Sequence, residues 1–162
     1  MGWGHRLLGS IDIIYIGNDA CEETYFGNRN ISDYFEMKDK YFYNFLSEEF
    51  VPEQSYDAVF TCPPYFNNEI YDGNNTSSSK YFKFSDWLNI WWRKTIQNSL
   101  KCNPKYFAFI INNRYKEDMA SICIQEGLTF LEEIKIGNNS MSHFQRVSKN
   151  SYKGENLLVF KG

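Results

Sequence analysis

The sequence predicts a single α/β domain, residues 1–162, in which a mostly parallel sheet carries helices on both faces and closes with an antiparallel pair of strands. Two observations predict this class: apolar runs of strand length alternate with helical patterns, and the last two elements are both strands. At 162 residues the chain also has the length of one domain with its own core. Ligands of such folds bind at the carboxyl ends of the strands.

The chain before the double proline at positions 63 and 64 predicts three strands and one helix. Short apolar runs favour strands, whereas apolar residues three or four positions apart favour a helix. Buried strands are expected at residues 11–18, 41–46 and 56–61. A helix is expected over residues 22–35, with Tyr25, Ile31, Tyr34 and Phe35 on its apolar side.

Residues 67–79, directly after the prolines, are rich in Asn, Gly and Ser and predict a mobile loop. An amphipathic helix follows over residues 85–101, with Ser85 as its N-cap. Its apolar stripe is expected to comprise Trp87, Ile90, Trp91, Ile96 and Leu100. The remaining predicted elements are a strand at 106–111, a helix at 116–126 that Gly127 closes, and strands at 129–136 and 156–161.

The composition limits what the chain can do alone. Its net charge of −3 argues against a self-sufficient nucleic-acid binder, because phosphate contacts usually need a basic face. Aromatic residues reach 19%, so composition by itself assigns no single ring to base stacking.

Metal and membrane functions are not expected either. The four cysteines form no Cys-x-x-Cys pair and the chain has two histidines, so we expect reduced thiols and no metal site. No apolar run has the length of a membrane span, and no secretory leader is evident. A cytoplasmic protein is therefore expected.

The strongest motif is the strand Asp57-Ala-Val-Phe-Thr-Cys-Pro-Pro-Tyr-Phe66, which the two prolines stop. It resembles the signature of DNA methyltransferases that modify the exocyclic amine of adenine or cytosine. In that family Asp, Asn or Ser precedes Pro-Pro and an aromatic residue follows. The resemblance implies a Rossmann-like methyltransferase fold, S-adenosyl-L-methionine as cofactor and DNA as substrate.

The same resemblance implies roles for the motif residues. The amine is a poor nucleophile because its lone pair is delocalised into the ring, so acceptors must engage its hydrogens. The side chain of Cys62 and the carbonyl of Pro63 would accept them, Pro64 would fix the backbone, and Tyr65 would stack on a flipped base. Phe66 and Asn67 would contact the substrate.

Cys62 departs from the family pattern. A neutral thiol accepts hydrogen bonds more weakly than a carboxylate, amide or hydroxyl, which puts the rate in question. The thiol is not expected to be a nucleophile, because the nucleophilic cysteine of cytosine carbon-5 methylation follows a proline, whereas Cys62 precedes two.

A second signal is the segment Gly2-Trp3-Gly4, followed by a strand that ends at Asp19. Glycines let a backbone approach a ligand closely, and an acid at the end of the next strand can bind ribose hydroxyls. The segment looks like the family's cofactor loop, with Gly2, Trp3 and Gly4 near the methionine part and Asp19 on the ribose. A flexible terminus and a helix-capping Asp are the plainer interpretation.

The family's cofactor loop follows a central strand, and this chain begins inside the loop. A sheet that lacks this strand would leave unpaired backbone groups on both neighbouring strands. The expectation is therefore an incomplete domain: a fragment, a decayed copy, or one part of a split protein in which a second polypeptide supplies the missing strand and target recognition.

The C-terminal region carries a weaker signal. Arg146, with Lys149 and Lys153, could contact DNA phosphates, although a solvated loop is the commoner meaning of such charges. His143 is expected to be a surface residue. Polar residues 112–114 could line the same cleft or simply end a strand.

Methyl transfer to a DNA amine is the function predicted. Methylation of an RNA base or of a protein glutamine remains open, because related enzymes use a similar motif, and so does a non-catalytic subunit that retains the fold.

Overall fold

The computed structural model describes residues 2, 4–66, 80–136 and 154–162, and all structural statements concern these. Short helices and strands alternate along them, as the sequence predicts. The strands are β1 (Tyr15–Asn18), β2 (Lys40–Tyr43), β3 (Ala58–Thr61), β4 (Tyr106–Asn112), β5 (Thr129–Ile136) and β6 (Glu155–Lys161). The helices are α1 (His5–Leu8), α2 (Glu22–Tyr34), α3, which comprises the consecutive segments Phe84–Asp86, Trp87–Trp92 and Arg93–Leu100, and α4 (Lys116–Gln125).

The described strands form two sheets. One contains β1 and β2 in parallel, with Tyr15 opposite Lys40. The other has the order β3-β4-β6-β5, in which β3 and β4 are parallel and Ala58 lies opposite Tyr106. Strand β6 is antiparallel to both of its neighbours, so β3, β4 and β5 run in one direction and β6 in the other. The predicted antiparallel closing pair is confirmed as β5 and β6.

The two faces of the four-stranded sheet are covered unequally. Helices α3 and α4 pack on one face, where Trp92, Phe107, Phe109, Met119 and Phe160 are fully or almost fully buried. On β3, Val59 packs against this core, and alternation of strand side chains turns its neighbour Phe60 to the opposite face. There the Arg6 guanidinium of α1 lies 5.4 Å from the Phe60 ring centroid.

The first predicted strand is shorter than expected. Residues 11–14 precede β1 instead of belonging to it, and Ile13 and Ile14 are 64% and 67% exposed. An apolar run becomes a buried strand only where neighbouring elements cover it, and none of the described elements covers these isoleucines. The prediction of a buried strand over residues 11–18 was therefore wrong for its first half.

Helix α2 has the predicted bounds but not the predicted apolar side. Tyr34 and Phe35 are exposed, whereas Asn28 and Ser32 are buried. Asn28 is buried because its amide donates hydrogen bonds to the carbonyl oxygens of Gly2 and Thr24, at 2.9 and 2.8 Å. This helix holds the N-terminal segment through a polar contact.

Helix α3 differs from prediction in its cap and in its apolar stripe. Ser85 lies inside the helix rather than at its N-cap, which is Lys83. The segment Trp87–Trp92 is π-helical, so the turn contains one extra residue and Trp92 takes a place in the stripe. Ile90, predicted to be buried, is consequently 52% exposed, and Trp92 is fully buried.

Within the residues covered by the structure, no helix is long and apolar enough to cross a membrane.

Candidate methyl-transfer site

The Cys-Pro-Pro-Tyr motif leaves the sheet at the carboxyl end of β3. Strand β3 ends at Thr61, and the next four residues, Cys62 to Tyr65, belong to no helix or strand. Cys62 is half-buried and Pro63 is buried. Since neither proline has an N–H group, the ladder with β4 cannot extend past this point, as the sequence predicts.

Tyr65 is buried and joins the motif to β6. Its hydroxyl donates to the carboxylate Oε1 of Glu155 at 2.9 Å, and the Cys62 Sγ lies 4.0 Å from the same hydroxyl. Burial raises the pKa of the Tyr65 phenol far above its ordinary value, and the neighbouring Cys62 and Glu155 raise it further. Tyr65 therefore stays neutral. Its hydroxyl proton points towards the Glu155 carboxylate, and Cys62, the predicted acceptor of the amine hydrogens, lies beside this hydroxyl.

The Tyr65 ring stacks on Tyr115, with centroids 6.1 Å apart and planes inclined by 23°. The Tyr115 hydroxyl donates to the carbonyl oxygen of Phe66 at 2.8 Å. Phe66 in turn packs edge-on against Phe84. These contacts hold the motif against the core, so the ring of Tyr65 reaches a base only if its packing on Tyr115 changes.

The predicted cofactor residues come together at the carboxyl end of β1. Asp19 directly follows β1, and its Oδ2 accepts a hydrogen bond from the Gly2 backbone N–H at 3.2 Å. Its Oδ1 accepts from the Cys21 N–H at 3.1 Å, two residues further on, and Cys21 rather than Asp19 is the N-cap of α2. Sequence positions 17 residues apart thus meet at one strand end.

Glycine is required at both glycine positions of this segment. Gly2 and Gly4 have φ values of +71° and +92°, which side chains rarely adopt. A Cβ on Gly4 would also lie 2.7 Å from the Ile31 side chain of α2. Gly4 therefore lies close against α2.

An aromatic groove that sequence reasoning missed lies beside Asp19. Asn44 donates from its side chain to the Asp19 carbonyl at 2.7 Å, which ties the end of β2 to the end of β1. The groove next to it has a volume of about 210 Å³ and is lined by Tyr43, Phe45, Glu49, Phe50, Val51 and Glu53. The signal in the sequence was two phenylalanines shortly after the strand at residues 40–43, which composition alone could not separate from core residues.

Glu155 is the other residue that sequence reasoning missed. It opens β6, which pairs with β4 so that Glu155 lies opposite Asn112. An antiparallel strand begins where its parallel neighbours end, which brings residue 155 to the carboxyl edge of the sheet near residue 65. A contact across 90 positions carries no local signal in the sequence.

The structure also places the polar residues after β4. Asn112 is buried, and its side-chain oxygen accepts from the Arg114 backbone N–H at 2.9 Å. Asn113 and Arg114 are exposed. Asn112 thus ends its strand with a local turn, on the edge that also carries Glu155.

Several predicted residues lie outside the described part of the chain. They are Trp3 of the cofactor segment, Asn67 and Arg146 of the substrate contacts, and His143, Lys149 and Lys153 of the C-terminal region. The loop predicted at residues 67–79 lies outside it too. Their roles stay predictions.

Solved structures of the methyltransferase fold are similar to this chain. The N-methyltransferase NodS from Bradyrhizobium japonicum matches 91% of this chain and 72% of its own, at 11% identity and a TM-score of 0.59. An S-adenosylmethionine-dependent methyltransferase from Clostridium acetobutylicum matches 90% and 74%, at 12% identity and a TM-score of 0.56. The [4+2]-cyclase SpnF matches 99% and 71%, at 9% identity and a TM-score of 0.64.

These likenesses show the fold: the chain has the Rossmann-like architecture of S-adenosylmethionine-dependent methyltransferases. The cyclase among them illustrates that this architecture also serves other reactions, so function has to be argued from the site. No protein-family model matches the chain, and no curated protein sequence does.

Proposed function

We propose that the chain transfers a methyl group from S-adenosyl-L-methionine to the exocyclic amine of adenine or cytosine in DNA. The observation that carries the proposal is the position of Cys62-Pro63-Pro64-Tyr65, which follows β3 at the carboxyl edge of a methyltransferase-type sheet. Ligands of α/β sheets bind at this edge. The fold is compatible with methyl transfer, and the motif is the observation that favours an exocyclic amine as the acceptor.

The motif residues act on the amine that receives the methyl group. The Pro63 carbonyl and the Cys62 Sγ would accept its two hydrogens, which localises the lone pair on nitrogen. The prolines fix the backbone, so the carbonyl is oriented before the substrate arrives and does not reorganise during transfer. Positioning of this kind supplies much of the acceleration in a direct transfer reaction.

The residues at the end of β1 fit the cofactor. Gly2 and Gly4 adopt positive φ values that favour glycine, and Asp19 is half-buried. Asp19 Oδ2 accepts from the Gly2 N–H at 3.2 Å and Oδ1 from the Cys21 N–H at 3.1 Å, so the carboxylate lies beside the glycine turn that would approach the cofactor. Asp19 would therefore hold the ribose hydroxyls, and the groove at Phe45 would take the flat adenine ring. When bound, S-adenosyl-L-methionine supplies an electrophilic methyl group on its sulfonium.

Cofactor binding is the first experiment. Calorimetric titration of S-adenosylmethionine into the chain should show saturable binding, and Asp19→Ala should weaken it by about tenfold or more. Asp12→Ala is the matched control, because Asp12 is an exposed acid in the turn before β1. Equal binding by the wild type and both variants would remove Asp19 from the cofactor site.

Methyl transfer separates the possible substrates. The chain is incubated with methyl-labelled S-adenosylmethionine and, in separate reactions, unmethylated duplex DNA, RNA, or protein that contains glutamine. The proposal expects label on adenine or cytosine amines of DNA. Label on RNA or glutamine alone would reassign the substrate, and cofactor binding without any transfer would support a non-catalytic subunit.

A further inference from the structure

An exposed phenylalanine lies close to the Cys-Pro-Pro-Tyr motif. Phe82 is 81% exposed. A single exposed apolar side chain is ordinary on a protein surface, so its position decides whether it has a role. Phe82 is two residues before Phe84, whose ring centroid lies 5.6 Å from that of Phe66 and 5.7 Å from that of Tyr115. Two residues span at most about 7 Å of chain, so Phe82 lies next to the ring cluster that holds the motif against the core.

The backbone on either side of Phe82 is held in place. Tyr81 is buried, and its hydroxyl donates to Oε1 of the buried Glu48 at 3.0 Å. The Lys80 ammonium donates to the same carboxylate oxygen at 3.2 Å. On the other side, Lys83 is the N-cap of α3, with extended φ and ψ values of −108° and 137°. Phe82 is therefore an exposed ring on an anchored segment.

Two exposed cations lie on either side of the same ring cluster. Lys83 directly follows Phe82, and Arg114 directly precedes Tyr115, with its guanidinium 5.3 Å from the Tyr115 ring centroid. No carboxylate of the described residues lies within 4.0 Å of either cation. Unpaired cations beside an exposed ring suit a nucleic acid, because the cations meet phosphates and the ring stacks on bases. The net charge of −3 thus coexists with a local basic surface at the motif.

We infer that Phe82 inserts into duplex DNA in the space that the flipped base vacates, while Lys83 and Arg114 contact the flanking phosphates. This inference rests on the proposed function, because a flipped base presupposes DNA as the substrate. Extrusion of a base leaves its neighbours unstacked on one side. An aromatic ring in that space recovers part of the lost stacking, so it stabilises the flipped state.

DNA binding by the whole chain tests the role of Phe82. The probe is a fluorescein-labelled duplex of roughly 20 base pairs with one central mismatch, at which a base flips at low cost. Fluorescence anisotropy should show that Phe82→Ala weakens duplex binding by about fivefold or more, and that Phe82→Trp retains it. Binding of the corresponding single strand should change by less than about twofold, because a single strand has no stack to fill.

The matched control is Phe35→Ala, which should bind both probes like the wild type. Phe35 is 57% exposed and is the C-cap of α2, before β2 begins, so it lies at the opposite edge of the sheet. Thermal unfolding of Phe82→Ala should give the wild-type midpoint, since the ring is largely exposed in the native state.

Salt dependence tests the two phosphate contacts. Each contact adds about one to the slope of the logarithm of the binding constant against the logarithm of salt concentration, so Lys83→Ala and Arg114→Ala should each lower this slope by about 1. Lys101→Ala is the control, because Lys101 is exposed and lies at the other end of α3. Unchanged slopes in both variants would overturn the assigned contacts.

Failure of this inference and failure of the proposed function give different results. If the wild type binds the duplex and Phe82→Ala binds it equally well, the inference is wrong and the proposed function stands. Equal losses on duplex and single strand would overturn insertion in favour of stacking on single-stranded nucleic acid. If the wild type binds no DNA, both the inference and DNA as the substrate are wrong.

Discussion

Cys62 is the residue on which the proposed reaction depends most. It is half-buried, it directly precedes Pro63, and its Sγ lies 4.0 Å from the Tyr65 hydroxyl. The weak acceptor strength of a thiol predicts that this position limits the rate. The Glu155 carboxylate on the far side of that hydroxyl orients the phenol and adds negative charge near the acceptor.

We expect Cys62→Ser to increase the rate of methyl transfer by roughly 3- to 10-fold, because a hydroxyl of similar size is a better acceptor by about 1 kcal/mol. Single-turnover transfer of labelled methyl to DNA measures it. Cys102→Ser is the matched control, since Cys102 is also half-buried but its Sγ donates to the Pro52 carbonyl. If Cys62→Ala is as fast as Cys62→Ser, the side chain at this position does not accept from the amine.

Cys123 should be chemically inert in the native state. Burial raises the pKa of its thiol to about 12, because the core disfavours the thiolate. At pH 8 iodoacetamide should therefore label Cys21, Cys62 and Cys102, which are half-buried, and reach Cys123 only after denaturation. Mass spectrometry of the digested protein locates the label.

The raised pKa of Cys123 also predicts how the free energy of unfolding changes with pH. The unfolded chain releases the Cys123 proton near the ordinary value of 9, whereas the folded chain retains it until about 12. The stabilisation from this group is thus fully present below pH 9 and is lost as the pH rises from 9 towards 12. Cys123→Ala should flatten that part of the profile, measured by urea unfolding at each pH.

At the scale of elements, the sequence predicted which segments form helices and strands better than it predicted which of their side chains are buried. The strand at 129–136 and the helix that Gly127 closes were predicted closely, because periodicity and a glycine with φ +98° are local signals. The site was predictable in its local parts, the Pro-Pro break and Asp19 at a strand end. Glu155 and the exposure of Ile13 depend on distant elements, which periodicity cannot report.

The limit of prediction from sequence periodicity is clearest in helix α3. A regular helix places Ile90 in the apolar stripe, but the π-helical segment puts Trp92 there. The Trp92 ring packs edge-on against Phe109 with centroids 5.0 Å apart, and its Nε1 donates to the Met119 carbonyl at 3.1 Å. Nothing in the local residue types indicates the extra residue in the turn.

Trp92→Ala should therefore lower the free energy of unfolding by about 3–5 kcal/mol, because it leaves a cavity and removes the hydrogen bond to the Met119 carbonyl. Ile90→Ala on the same helix should change it by less than about 1 kcal/mol, since half of that side chain is exposed. Urea denaturation of both variants compares them. A larger effect at Ile90 than at Trp92 would favour the regular helix.

At the scale of the whole molecule, α3 ties the segment between β2 and β3 to the core. The Asn98 amide donates to the Glu48 carbonyl at 2.7 Å, and the Tyr56 hydroxyl donates to the Ser99 carbonyl at 2.8 Å. The hydroxyls of Ser47 and Thr95 are 3.0 Å apart. These bonds connect the β1/β2 half to the β3–β6 half without a shared strand.

Asn98→Ala should cost about 1–3 kcal/mol of unfolding free energy, because it leaves the Glu48 carbonyl without this donor. Asn89→Ala is the control from the same helix, since Asn89 is exposed and bonds within its own turn. Thermal unfolding monitored by circular dichroism gives both values. Equal stability of the two variants would show that the Asn98 bond does not hold the halves together.

The tryptophan cluster of α3 gives the molecule a built-in optical reporter. Trp87 and Trp91 are stacked with centroids 5.0 Å apart, and Trp92 lies 5.8 Å from Trp91. All three indoles are buried, so their emission should be shifted to the blue and their mutual coupling should give strong near-ultraviolet dichroism. A single wavelength can then follow the integrity of the core, while any ligand titrated at the carboxyl edge is detected separately by heat.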